Sequence, residues 1–164
     1  SGQGKYKIDA GYGTTIYQNG AVASSAGYII DGQTTDAPIL GVLNGIFYNA
    51  ATTLKPTFAN FYKQPITPAN SEDIDAFVFD NPQQQYVVAI DAALAQSGYL
   101  ETYDMNASAG SDTTGRSSST LDHDDTSADA ASFRLLRSAE DPENDENAAF
   151  RSVVVCINLI ELQS

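Results

Sequence analysis

The chain has 164 residues, with 21 Asp and Glu against eight Lys and Arg, a formal net charge of -13, one Cys, one Met and no Trp. One Cys leaves no intramolecular disulfide and no cysteine-rich metal site. The scattered positives form no stripe that would displace phosphate counterions, so nucleic acid and anionic membranes are not expected as partners. The length suits one domain whose core folds without staples, no run reaches the roughly 18 apolar residues that cross a bilayer, and no secretory leader is expected.

Residues 1–7, SGQGKYK, are polar and carry two glycines and two lysines. They read as a flexible N-terminal arm ahead of a single β-rich domain over 8–164. The stretch that follows reads as short strands parted by turns at Asn19-Gly20 and Asp31-Gly32, with the β-branched and aromatic residues of 14–17 in an extended run. "APILGVLNGIFY" is a longer apolar run whose internal Gly41 and Gly45 predict a bent or bulged strand. "NAATTLKP" is a turn and "TFANFY" a short aromatic strand, and "KQPITPANSED" is a loop punctuated by two prolines.

"IDAFVFD" and "QQYVVAID" give the clearest β signals and flank "NPQ", which predicts a hairpin or meander with both faces buried. "AALAQSGYL" reads as one or two helical turns, and residues 105–120, rich in Ser, Thr, Gly and Asp, as loop. "ASFRLLRS" is a strand, "AEDPENDENAA" an acidic loop, and "FRSVVVCINLIEL" a long closing strand. The sum is an all-β chain of about ten short strands with one or two short helices, in a compact barrel, sandwich or tulip-like arrangement.

Chemistry-bearing patterns are sparse. His123 is the only histidine, and Ser118, Ser119 and Asp124 supply the other members of a relay, but they fall in a polar loop with no nucleophile elbow. A solvated turn histidine is therefore expected, and no catalytic residue. Asp122, Asp124, Asp125 and Asp129, and a second group of Glu140, Asp141, Glu143, Asp145 and Glu146, match no calcium loop and read as solvated acidic faces. Cys156 alternates with apolar neighbours and is expected in the core. Gly11-Tyr12-Gly13 lacks the rest of a dinucleotide fingerprint. No cofactor, no metal and no enzymatic activity are expected.

Several phrases in order nevertheless resemble a known family. "YKIDAGYGTTIYQNGAV", "GVLNGIFYNAATTLKPTFANFY", "IDAFVFDNPQQQYVVAID", "SDTTGRSSSTLD" and the closing "SFRLLRSAEDPENDENAAFRSVVVCINLIEL" are similar to the decoration, or cement, proteins of tailed-bacteriophage heads. The likeness rests on Tyr6, Lys7 and Ile8; on Gly41, Val42, Asn44 and Gly45; on Lys55, Pro56, Thr57 and Phe58; on Val78, Asp80 and Pro82; and on Thr113, Thr114 and Gly115. The resemblance implies a β-rich structural protein of the virion, made in the bacterial cytoplasm, that binds the outer surface of the assembled capsid and bridges capsomers. Its implied partners are the major capsid protein and neighbouring copies of itself.

On that reading the capsid contact is expected from Lys5, Tyr6, Lys7, Tyr12, Tyr48, Lys55, Phe61 and Tyr62, the arm together with the aromatics around Lys55. For Tyr12, Tyr48, Phe61 and Tyr62 burial in the protein's own core stands as an equal alternative, and Phe47, Phe77 and Phe79 are read as core. A second reading of the whole chain is a receptor- or glycan-binding β domain of a tail fibre or appendage.

Overall fold

The computed structural model describes residues 2–33, 38–127, 131–145 and 147–158, without the side chains of 125–127. The strands are β1 Gly4–Ile8, β2 Ala21–Ser25, β3 Tyr28–Asp31, β4 Gly41–Asn49, β5 Pro56–Ala59, β6 Ile74–Phe79, β7 Gln85–Ala89, β8 Thr102–Asn106, β9 Thr120–Ser127, β10 Phe133–Ser138 and β11 Ser152–Ile157. They build two antiparallel sheets, one ordered β1-β6-β4-β2-β3 with β5 attached to β4, the other β7-β11-β10-β8-β9. The chain is all-β and sandwich-like, and its described strands close no barrel.

Each sheet curls over an apolar cluster of its own. In the first, edge strand β1 lies against edge strand β3, and Ile8, Val22, Leu43, Ile46, Ile74 and Val78 fill the interior. In the second, an isolated parallel bridge between Ile90 and Leu121 draws the end of β7 to β9. Its interior holds Tyr103, Leu121, Phe133, Leu135, Val153 and Val155, joined by Ala21 and Ile39 from the first half of the chain.

Local chemistry explains the turns. The β2–β3 hairpin closes on Ala26-Gly27, with φ of 50° and 86°. Both residues of a two-residue hairpin turn take positive φ, which glycine accepts and alanine tolerates only under constraint. The expected turn at Asp31-Gly32 is absent as such: Asp31 ends β3, and Gly32 is buried where a Cβ would meet the Val22 backbone. Asn19 does take positive φ, 65°, and Gly20 N–H closes that turn on the Tyr17 carbonyl at 3.1 Å. The 14–17 run forms no strand and contributes only the bridge of Ile16 to Tyr62.

Four further expectations are corrected. The N-terminal arm is, from Gly4 onward, strand β1, paired along its length with β6 in register Lys5↔Phe77 and Lys7↔Asp75. β6 and β7 do not form a hairpin: the short connection carries the chain from one sheet to the other, where β7 pairs with β11. Nor are they buried on both faces, for β6 alternates with Ile74, Ala76 and Val78 inside, as a half-covered antiparallel strand does. The acidic stretch around His123 is strand β9, not loop, whereas the 92–100 stretch holds the one helical turn expected there, a 3-10 turn at Gln96–Gly98.

The bulge expected in the glycine-bearing run is present. Pairing of β4 with β6 shifts between Leu43 and Gly45. Leu43 and Ile46, three residues apart, therefore both point inward, which regular alternation forbids.

Candidate docking surface

The bulge decides which aromatics leave the core. Beyond Asn44 the parity of β4 is reversed, so Ile46 and Tyr48 face the first cluster and Phe47 faces out. Phe47 is opposite Asp75 on β6 and opposite Phe58 on β5, while Asp75 is opposite Lys7 on β1. One row of side chains thus runs Lys7, Asp75, Phe47, Phe58 across four strands on the outer face of the first sheet. Phe77 and Lys5 follow in the adjacent row.

At the charged end of the row, Lys7 Nζ lies 2.5 Å and Lys5 Nζ 3.5 Å from the Asp75 carboxylate. Burial alone would push the Asp75 carboxyl up, but the hydrogen bond and charge of Lys7, with Lys5 behind it, hold it below the usual carboxylate range. The same hydrogen bond holds the Lys7 ammonium above its ordinary value against a smaller opposing effect of burial.

At the apolar end the rings of Phe47 and Phe58 are tilted, with centroids 4.7 Å apart, and Phe58 is 75% exposed. Beyond them the β4–β5 hairpin closes through Leu54 N–H to the Ala50 carbonyl at 2.8 Å. That turn leaves Leu54 72% exposed with φ of 55°, and Lys55 exposed beside it. Bulky residues seldom hold left-handed backbone, so this turn presents its leucine at some conformational cost.

The sequence-predicted contact residues divide accordingly. Lys5, Lys7 and Lys55 are exposed on or beside this face. Tyr62 is fully buried and is corrected from contact to core: its hydroxyl donates to the Tyr12 carbonyl at 2.7 Å and accepts from Ile66 N–H at 3.3 Å. Tyr6, Tyr12 and Tyr48 are half-buried and pack on the same cluster. Tyr6 donates to Asp80 Oδ2 at 2.6 Å, and the Tyr12 hydroxyl accepts from Asp31 N–H at 3.1 Å.

Phe61 lies elsewhere, stacked on Tyr17 at 5.8 Å and 4°, with Gly115 (φ 73°) leaving no room for a Cβ against its ring. Tyr17 in turn donates to Asp112, which also meets Lys63 at 3.2 Å. This group fastens the 110–116 loop to the first sheet. Phe47, Phe58, Phe77 and Leu54 are the surface residues that sequence reasoning missed, and the glycine-marked bulge was the signal that could have found two of them, Phe47 and its partner Phe58.

The other candidate chemistry is dispersed. His123 sits half-buried on β9, its Nδ1 3.3 Å from Asp124 Oδ1, while its N–H donates to Asp91 at 2.9 Å. Ser119 is held by Gln33 and the 108 backbone instead. Cys156 is not a core residue: Val153, Val155 and Ile157 take the inner face, and Cys156 is half-buried opposite Arg134. Burial pushes its thiol up. Among the described residues no three of His, Cys, Asp and Glu gather as metal ligands; Asp129 and Glu146 lie outside those residues.

A second concave feature opens between β7 and residues 117–120, a slot of about 710 Å³ floored by Tyr86, Val88, Met105, Phe133 and Val155. No protein-family model, no curated protein and no solved structure matches this chain.

Proposed function

We propose that the chain is a structural protein of a tailed-phage head, which binds the outer surface of the assembled capsid and cements neighbouring capsomers. The observation that carries this reading is the outer face of the first sheet. There exposed Phe58, its half-buried partner Phe47 and the strained Leu54 lie beside Lys5, Lys7 and Lys55. Those three are among only eight positive residues in a chain of net charge -13.

An apolar centre edged by charge is the anatomy of a protein interface, and exposed aromatics on a rigid sheet bury area at low rotamer cost. A protein that binds only the assembled lattice stabilises it by mass action, and many symmetric copies multiply weak contacts. The Lys55-Pro56-Thr57-Phe58 turn and strand that build this face are among the phrases that resemble cement proteins.

The test is a reconstruction of heads saturated with the purified protein. Regular, high-copy occupancy of the outer shell with the β4–β5 face turned inward is the expected result. Absence from the shell, or a few copies confined to a tail vertex, would overturn the reading.

A further inference from the structure

We propose that the slot between β7 and residues 117–120 receives an extended, uncharged strand from a partner polypeptide, added to the edge of β7 that no described strand pairs. Edge strands offer unpaired main-chain groups, and proteins usually blunt them with charge, proline or a bulge. Here the other edges are blunted: β1 by Lys5 and Lys7, β3 by Asp31, β5 by Pro56, and β9 by Asp122 and Asp124. Strand β7, Gln85–Ala89, has none of these devices, and residues 81–90 carry no charge.

The backbone of β7 is turned the right way. Ile90 N–H goes to the Arg151 carbonyl on the β11 side, and Asp91 N–H to Leu121 on the β9 side. By antiparallel alternation Tyr86 and Val88 bond to β11, so Gln85 and Val87 direct their N–H and C=O groups into the slot. The Gln85 carbonyl is capped by the side-chain amide of Gln84 at 3.0 Å, a contact an incoming strand can replace. The Ile90–Leu121 bridge closes one end of the gap between β7 and β9. Toward Gln84 and Gln85 no pairing among the described residues spans the gap, and a strand laid there would continue the curled sheet.

The lining specifies the occupant. In a chain with 21 Asp and Glu, none of the described residues lining the slot is charged, and the nearest guanidinium, Arg137, reaches only the Gln85 side chain. A charged group taken into it would lose water without gaining a counter-charge, which disfavours ions, nucleotides and charged peptides. The apolar floor of Tyr86, Val88, Met105, Phe133 and Val155 suits every second side chain of the added strand, with the others outside beside Val87. Main-chain bonds along an edge with pockets for alternate side chains define strand addition.

The experiment selects displayed random heptapeptides on the immobilised full chain, then synthesises the enriched sequences with blocked termini, plain and N-methylated along one edge. Uncharged peptides with alternate apolar residues are expected. Their affinity should fall by about tenfold or more on N-methylation, and similarly with Val87→Pro and with Ser118→Arg at the exposed rim. Hydrogen exchange at the Val87 amide should slow when the plain peptide is present. Selection of nothing, or of acidic or basic peptides, overturns the proposal. So does binding indifferent to N-methylation, which would make the slot a site for apolar groups alone. If Val87→Pro does not fold, the N-methylated peptides and Ser118→Arg decide.

Discussion

Phe47 and Phe58 face each other across β4 and β5 with ring centroids 4.7 Å apart, yet Phe58 remains 75% exposed. Its ring therefore does little for the fold beyond one cross-strand aromatic contact, of order 0.5–1 kcal/mol. Phe58→Ala should lower stability by no more than about 1 kcal/mol and weaken binding to heads by about tenfold or more, as expected at the centre of an interface. Urea unfolding and capsid-occupancy titration read the two effects separately. Undiminished occupancy would remove Phe58 from the docking surface.

Tyr62 makes the opposite case, an aromatic in the same sequence neighbourhood that is wholly committed to the fold. Its ring is buried in the first cluster 6.0 Å from Tyr12, and its hydroxyl ties the 12 and 66 backbones together. Tyr62→Phe leaves the Tyr12 carbonyl and the Ile66 N–H without that partner, at a cost of about 1–3 kcal/mol. Tyr62→Ala adds a cavity and should cost about 3–5 kcal/mol. Urea midpoints should fall in that order, and head binding by the folded fraction of Tyr62→Phe should stay at the native level.

The contrast between these residues shows where the sequence was informative. Period-two alternation in 74–79, β-branched density in 152–157 and the glycines of β4 announced an all-β chain with a bulge. Which way Phe47 points was not legible, because a single extra residue at Asn44 inverts every later side chain of the strand. The same limit applies to β7. Its sequence looks like one half of a hairpin, but the partner is chosen by long-range packing, and the chain crosses to the other sheet instead. The buried tyrosines were ambiguous for another reason. An amphipathic ring is at home in a core once its hydroxyl finds a backbone partner, and those partners come from distant turns.

The Lys7–Asp75 pair makes a pH-dependent contribution whose sign follows from its two shifts. The Asp75 carboxyl is held below the usual range, so its contribution is present above roughly pH 4 and is lost as pH falls through the lowered value. The Lys7 ammonium is held above its usual value, so its share is present below roughly pH 10 and is lost as pH rises through the raised one. Lys5 and Lys7 are 61% and 50% exposed, so solvent screening limits the pair to a few tenths up to about 1 kcal/mol. Asp75→Asn should remove that amount at pH 7 in low salt and much less in 1 M salt. An equal loss at both ionic strengths would assign the effect to packing.

Tyr86 sets the alkaline limb. Its hydroxyl donates to the Phe79 carbonyl at 3.0 Å, and burial, with a smaller push from the Asp80 charge, raises its pKa to about 12. An unfolded tyrosine ionises near pH 10, so above that value the unfolded chain releases a proton the folded chain still holds. Stability is complete below about pH 10 and declines as pH rises toward the folded value. The slope should be shallower than the ~1.4 kcal/mol per pH unit of one full proton, because Tyr86 is only half-buried. Tyr86→Phe should cost about 0.5–1.5 kcal/mol at pH 8 through the lost hydrogen bond. It should also flatten the decline between pH 10 and 12, leaving the share of other tyrosines with raised values such as Tyr103 and Tyr62. Urea unfolding of both proteins at intervals across that range measures the difference. Parallel curves would mean that the Tyr86 phenol reaches solvent in the folded chain and ionises as it does in the unfolded one.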